Sequence, residues 1–130
     1  MRTLGQERSQ FALERIIGGK SKINEDVKSF TSFTAGAPTV ILQNGFGQAM
    51  AFWLSKKKSD SDKYEFVLES IKEWLIKIKP SIYSDKNYED FILKLSTIDQ
   101  KEYLSAQKEA LLLLEWIKRY TSAFYIDEKN

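Results

Sequence analysis

The sequence predicts an all-α fold, a compact bundle of five or six helices, and three observations carry that prediction. Only 6 glycines and 2 prolines occur in 130 residues, too few turn formers for a β-sandwich of this length. Apolar residues recur at helical spacing, most cleanly at Tyr64, Val67, Leu68, Ile71, Leu75 and Ile78. Capping residues, glycines and prolines flank the periodic segments where helices should start and stop. The length is that of one domain, spanning 1–130, long enough to bury roughly two-thirds of the surface of its unfolded form. Hydrophobic residues at 42% and aromatics at 13% supply a core and argue against disorder.

Taken in order, a first helix is predicted from Leu4 to Ile17, opened by a Thr3–Gln6 capping box and closed by Gly18-Gly19. A second begins after Asn24, with Glu25 and Asp26 in its first turn, and stops near Gly36. Pro38 is expected to open the third helix, where its missing N–H does no harm. That helix runs through Gly45 and Gly47 to Lys56-Lys57-Lys58 and is apolar on two sides. Glycines inside a helix cost about 1 kcal/mol each relative to alanine, so a neighbouring backbone should approach closely there. A fourth helix follows over Asp62–Ile78, a short fifth over Lys86–Leu95 and a long sixth over Ile98–Phe124. The third and sixth, broadest in apolar surface, are expected at the centre.

The chain contains no cysteine and no histidine. Disulfides, thiolate nucleophiles, common zinc sites and the usual general acid–base residue are therefore excluded. No Walker loop is present, and Asn44-Gly45-Phe46-Gly47 lies within an apolar segment instead of between a strand and a helix. Asp60 and Asp62 begin like a calcium loop, but its sixth and twelfth positions would be Glu65 and Ile71, where glycine and glutamate are needed. Asp62 reads better as a helix cap. Glu65, Glu69 and Glu73 share the face of the fourth helix opposite its apolar stripe, with Lys72 and Lys77 interleaved. This face is expected to be solvated and to hold no metal. No catalytic residue, metal site or cofactor is predicted. The longest apolar stretch, Pro38 to Leu54, is interrupted by Gln43, Asn44 and Gln48, and no secretory leader precedes it. A cytoplasmic protein without a membrane partner is expected.

Charge is unevenly spread. Residues 1–58 carry nine Lys/Arg against four Asp/Glu, whereas residues 85–115 carry four lysines against seven acids. Such asymmetry points to a polyanionic partner. Three groups are placed to meet phosphates: Arg15, Lys20 and Lys22; Lys56, Lys57 and Lys58; and Lys118 with Arg119. The triplet leads, because three adjacent lysines cannot all pair on one helix face. Competing structural roles are an ion pair for Arg15, a helix-terminus role for the triplet, and pairing of Arg119 with Glu115 or stacking on Trp116. The aromatics fall on apolar stripes and not among the basic residues, so any contact would read backbone charge and shape.

The run Gln43-Asn44-Gly45-Phe46-Gly47-Gln48-Ala49-Met50-Ala51-Phe52, together with Arg8 to Ala12 and the closing Glu109 to Tyr120 with its Trp116-x-x-Arg119 element, resembles one family. This is the small helical subunit of the type III-B CRISPR effector, the Cmr RNA-silencing complex. The resemblance covers almost the whole chain. It implies a small all-α protein without catalytic activity, stacked in copies along a filament beside a repeated backbone subunit and a large subunit. There it would help to hold guide RNA and target RNA. Lys118 and Arg119 correspond to the family's RNA-facing surface by position, and Lys56 to Lys58 by character. The rival readings are a helical protein-interaction adaptor without an RNA role, and a magnesium-dependent nuclease using Glu69 and Glu73.

Overall fold

The computed structural model describes residues 1–20, 26–84 and 87–125. Among these there are six α-helices and no strand: α1 (Leu4–Gly19), α2 (Val27–Asn44), α3 (Phe46–Lys56), α4 (Lys63–Ile78), α5 (Tyr88–Thr97) and α6 (Gln100–Phe124). Local chemistry sets most boundaries. Thr3 and Gln6 form the capping box, each side chain bonded to the other's backbone N–H at 2.9–3.0 Å. Asp26, Asp62, Asn87 and Asp99 cap α2, α4, α5 and α6, each accepting from the backbone N–H three residues on. Asn24, expected to open the second helix, lies outside the described residues.

The second and third helices divide differently from expectation. α2 runs through Pro38 to Asn44, and the break falls at Gly45, whose φ of 87° and ψ of 159° suit glycine alone. Helix-start chemistry favoured Pro38, but the adjacent turns are buried, with Ala37, Pro38 and Ile41 all inside. Packing outweighs the hydrogen bond that proline removes. Gly45 has no side chain to cap α3, and α6 supplies the caps from a distance. The Phe46 N–H donates to Gln107 Oε1 at 3.0 Å, and the Gly47 N–H donates to Tyr103 Oη at 2.9 Å. The close neighbour of Gly47 is thus a tyrosine hydroxyl, 3.4 Å from where a Cβ would stand, and not a helix backbone.

Contacts between helices fix their directions. Arg8, Ser9 and Ile16 of α1 meet Glu109, Tyr120 and Tyr125 at the end of α6, so these helices run parallel. Trp74 of α4 and Lys79 at its C-cap meet Glu109 and Glu102, so α4 runs against them. α6 packs on α1, α2 and α4, as expected for a central helix. α4 shares the centre, touching α1, α2, α3 and α6 and burying eight of its residues. α3 is flanked by α2, α4 and α5. The core holds Phe30, Ile41, Phe46, Trp53, Trp74, Phe91 and Leu113, each fully buried.

Candidate nucleic-acid interface

Five helix ends converge at one pole of the bundle. Phe30, near the start of α2, packs on Phe66 of α4 and on Tyr125, with ring centroids 5.1 and 5.2 Å apart. Phe33 of α2 meets Trp53 near the end of α3 at 6.1 Å, and the Tyr125 hydroxyl donates to the Ile16 carbonyl at 2.7 Å. The C-termini of α1, α3 and α6 therefore lie beside the N-termini of α2 and α4. This topology places Lys20 and Lys56 to Lys58 at the pole. Lys118 and Arg119 lie about 9 Å or less from the same end of α6 by helical rise.

The structure separates these cations by what their charged groups touch. Lys20, Lys56, Lys58 and Arg119 are exposed, Lys118 is half-buried, and none of the five forms an ion pair among the described residues. Lys56 Nζ sits 5.6 Å from the Phe52 ring centroid. Lys57 turns back to Asp60 Oδ1 at 3.0 Å and Glu65 Oε2 at 3.5 Å, which raises its affinity for its proton. Arg15 donates from Nε to Ser70 Oγ at 2.7 Å and lies between Phe11 and Phe66, 5.7 and 5.6 Å from their centroids. Burial lowers its pKa, opposed by the charges of Glu69 and Glu73. Arg15 and Lys57 are thus engaged within the fold. Lys22 lies outside the described residues. Trp116 stacks on Tyr120, with centroids 5.5 Å apart and planes at 26°, and among the described residues Arg119 makes neither of the contacts that competed with a phosphate role, to the indole or to Glu115.

A cleft of about 410 Å³ opens beside this pole, lined by Phe11, Glu14, Arg15, Gly18, Gly19, Asp60, Ser61, Asp62, Glu65, Phe66 and Glu69. Its walls carry five acids against one cation, Arg15, and repel phosphate. Asp62 is fully engaged there, accepting from the backbone N–H groups of Lys58, Ser59 and Glu65. The exposed cations lie outside this cleft, since none of Lys20, Lys56, Lys58 and Arg119 lines it.

The acidic face of α4 is not solvated as expected. Glu65, Glu69 and Glu73 are half-buried and Lys72 is 4% exposed. α5 lays Tyr88 across this face, its hydroxyl 2.9 Å from Glu65 Oε1 and 2.8 Å from Glu69 Oε2, and its ring 4.7 Å from Lys72 Nζ. Burial raises the pKa of Glu65, opposed by the Tyr88 hydrogen bond and Lys57. Burial also disfavours ionised Glu69, but hydrogen bonds from Tyr88 and Glu73 and the charge of Lys72 hold it below the usual range. Glu73 is raised by burial and by its hydrogen bond to Glu69. Burial and the two carboxylates push Tyr88 far above its ordinary value. Among the described residues no group of three His, Cys, Asp or Glu is arranged to hold a metal, and no helix is long and apolar enough to cross a membrane.

A further polar junction, missed in the sequence, lies between α1, α4 and α6. Glu109 accepts from Arg8 Nε and Nη2 at 3.1 and 2.9 Å and from Trp74 Nε1 at 3.1 Å. Arg8 and Glu109 belong to two segments that carry the resemblance, and this contact joins them.

The fold is similar to the crystal structure of a CRISPR-associated Cmr5 family protein from Thermus thermophilus. The TM-score is 0.72 at 22% identity, covering 95% of this chain and 97% of that one. The family model for CRISPR-associated protein (Cas_Cmr5) matches residues 4–124, from the first residue of α1 to the last of α6. With all six helices inside that match, the chain belongs to the CRISPR-associated Cmr5 family, the small subunits of Cmr-type CRISPR complexes.

Proposed function

We propose that this chain is a non-catalytic small subunit of a type III-B effector, stacking beside copies of itself along the filament next to the backbone and large subunits. Its role is to support guide and target RNA through basic surface. The observation that carries this reading is the set of cations left unpaired around one pole: Lys20, Lys56 and Lys58, with Lys118 and Arg119 nearby. Exposed cations of this kind neutralise phosphates and release counterions. The acids a nuclease would have used are engaged elsewhere, Glu69 by Tyr88 and Lys72 and Glu73 by its hydrogen bond with Glu69. Contacts shared among several stacked copies add, so modest charge per copy suffices.

The test is charge reversal of Lys56 and Lys58, leaving the internally paired Lys57 in place. The tagged protein is purified gently from its native cell with whatever RNA accompanies it. The variant is expected to fold normally by circular dichroism and to retain less RNA, with the slope of log affinity against log salt reduced by about 0.7 per lost phosphate contact. Unchanged RNA retention at every salt concentration would transfer support to the helical adaptor.

A further inference from the structure

Two outward helix faces have no partner among the described residues, and they are complementary to each other. On α6, Lys101, Leu104, Lys108 and Leu112 follow one another at three- and four-residue steps and form a continuous lane. All four are exposed, Leu104 at 51% and Leu112 at 36%. Neither lysine is ion-paired among the described residues. The lane is two cations with two leucines between and beyond them. On α5, Leu93 is 61% exposed and is flanked on its own face by exposed Glu89 and Asp90, four and three residues before it. That patch is one leucine beside two acids. α5 packs on α3 and α6 on α1, α2 and α4, and each face points away from the core its own helix helps to build.

From this charge and apolar complementarity we infer that the acidic Leu93 patch of one copy docks on the basic Leu104 lane of another. The inference rests on the stacking proposed above and assigns its faces. Because the two surfaces differ, the contact is heterologous: each copy that uses its lane leaves its patch free, and the chain of contacts can extend. α5, at 10 residues, spans about 15 Å, which places the contact among small, reversible interfaces. Leu93 against Leu104 supplies the apolar centre, and Glu89 and Asp90 against Lys101 and Lys108 set the register.

The test is a charge swap read by sedimentation velocity on the full chain at low salt. One variant carries Lys101→Glu and Lys108→Glu, the other Glu89→Lys and Asp90→Lys. The unaltered chain is expected to associate with increasing concentration. Each variant alone should associate roughly 100-fold more weakly, because like charges then face each other. An equimolar mixture should recover association, since a basic patch now meets an acidic lane. Leu104→Ser and Leu93→Ser, at exposed positions, provide the same reading without charge reversal should a reversal variant melt early. A chain that stays monomeric at all concentrations, or a mixture that does not recover, overturns the assignment. If effector subunits still co-purify with such a chain, the proposed function stands and only the faces are wrong. Self-association without any co-purifying effector subunits supports the contact and removes the function.

Discussion

Two polar junctions tie α4 to its neighbours, and they differ in how donors match acceptors. At the first, one carboxylate, Glu109, meets the Arg8 guanidinium and the Trp74 indole N–H. Every group has a complementary partner, and the guanidinium approaches both carboxylate oxygens at 2.9–3.0 Å. At the second, the single hydroxyl proton of Tyr88 faces two carboxylates, Glu65 and Glu69, each within 2.9 Å. One proton cannot serve both acceptors, and a third acid, Glu73, adds to the excess. The second junction gains whenever one of its acids takes up a proton. Stoichiometry of protons, more than the number of contacts, separates a buried lock from a titrating patch.

Removing the acceptor from the first junction should have the largest effect. Glu109→Ala leaves the Arg8 side chain, 9% exposed, and the fully buried Trp74 N–H without a carboxylate. A loss of about 3–5 kcal/mol is expected, as when one member of a buried ion pair is deleted. Urea unfolding followed by tryptophan fluorescence measures it. A loss no greater than that of an exposed ion pair would erase the contrast between the junctions.

At the second junction, Tyr88→Phe removes the shared donor and keeps the ring over Lys72. At neutral pH the expected loss is about 1–2 kcal/mol, because two partly buried carboxylates lose their hydrogen bond. At about pH 4, within the ordinary carboxylate range, a protonated glutamate can supply the missing donor and the loss should shrink. Equal losses at both pH values would show that Tyr88 contributes packing alone.

The same contrast explains what could be read in advance. Caps and helical stripes depend on neighbours three or four residues away, and Thr3, Asp62 and the apolar stripe of α4 were legible for that reason. The joint at Gly45 was not, because its caps come from Gln107 and Tyr103, 61 and 56 residues distant in the chain. Periodicity correctly put Glu65, Glu69 and Glu73 on one face, yet it could not show that α5 would fold over them. Likewise the lysine triplet was visible as charge, but only the turn after α3 shows Lys57 bending back to Asp60 while Lys56 and Lys58 face outward. Lys101 and Lys108 escaped notice inside an acid-rich stretch, since net charge along the chain hides a one-sided lane on a helix.

The smallest expected effect is also the one whose sign is most informative. Burial and the hydrogen bond to Glu69 give Glu73 a higher pKa in the folded chain than in the unfolded one. The folded state then binds this proton more tightly, so the stability it contributes is complete below the ordinary carboxylate value and is lost as pH rises through the raised one. Glu69 behaves oppositely: its lowered value contributes stability above the ordinary range and loses it as pH falls. Glu73→Gln mimics the protonated acid permanently and still offers a hydrogen to Glu69. The variant should match the parent at low pH and exceed it at neutral pH by less than about 1 kcal/mol, since Glu73 remains partly in water and its charge is screened. Urea midpoints from pH 4 to pH 8, a range spanning the carboxylate titration, would show the two stability curves diverging upward in pH while both keep the acid-side decline due to Glu69. Parallel curves would mean that Glu73 and Glu69 share no proton, and the excess of acceptors at this junction would then be relieved by Lys57, Lys72 and Arg15.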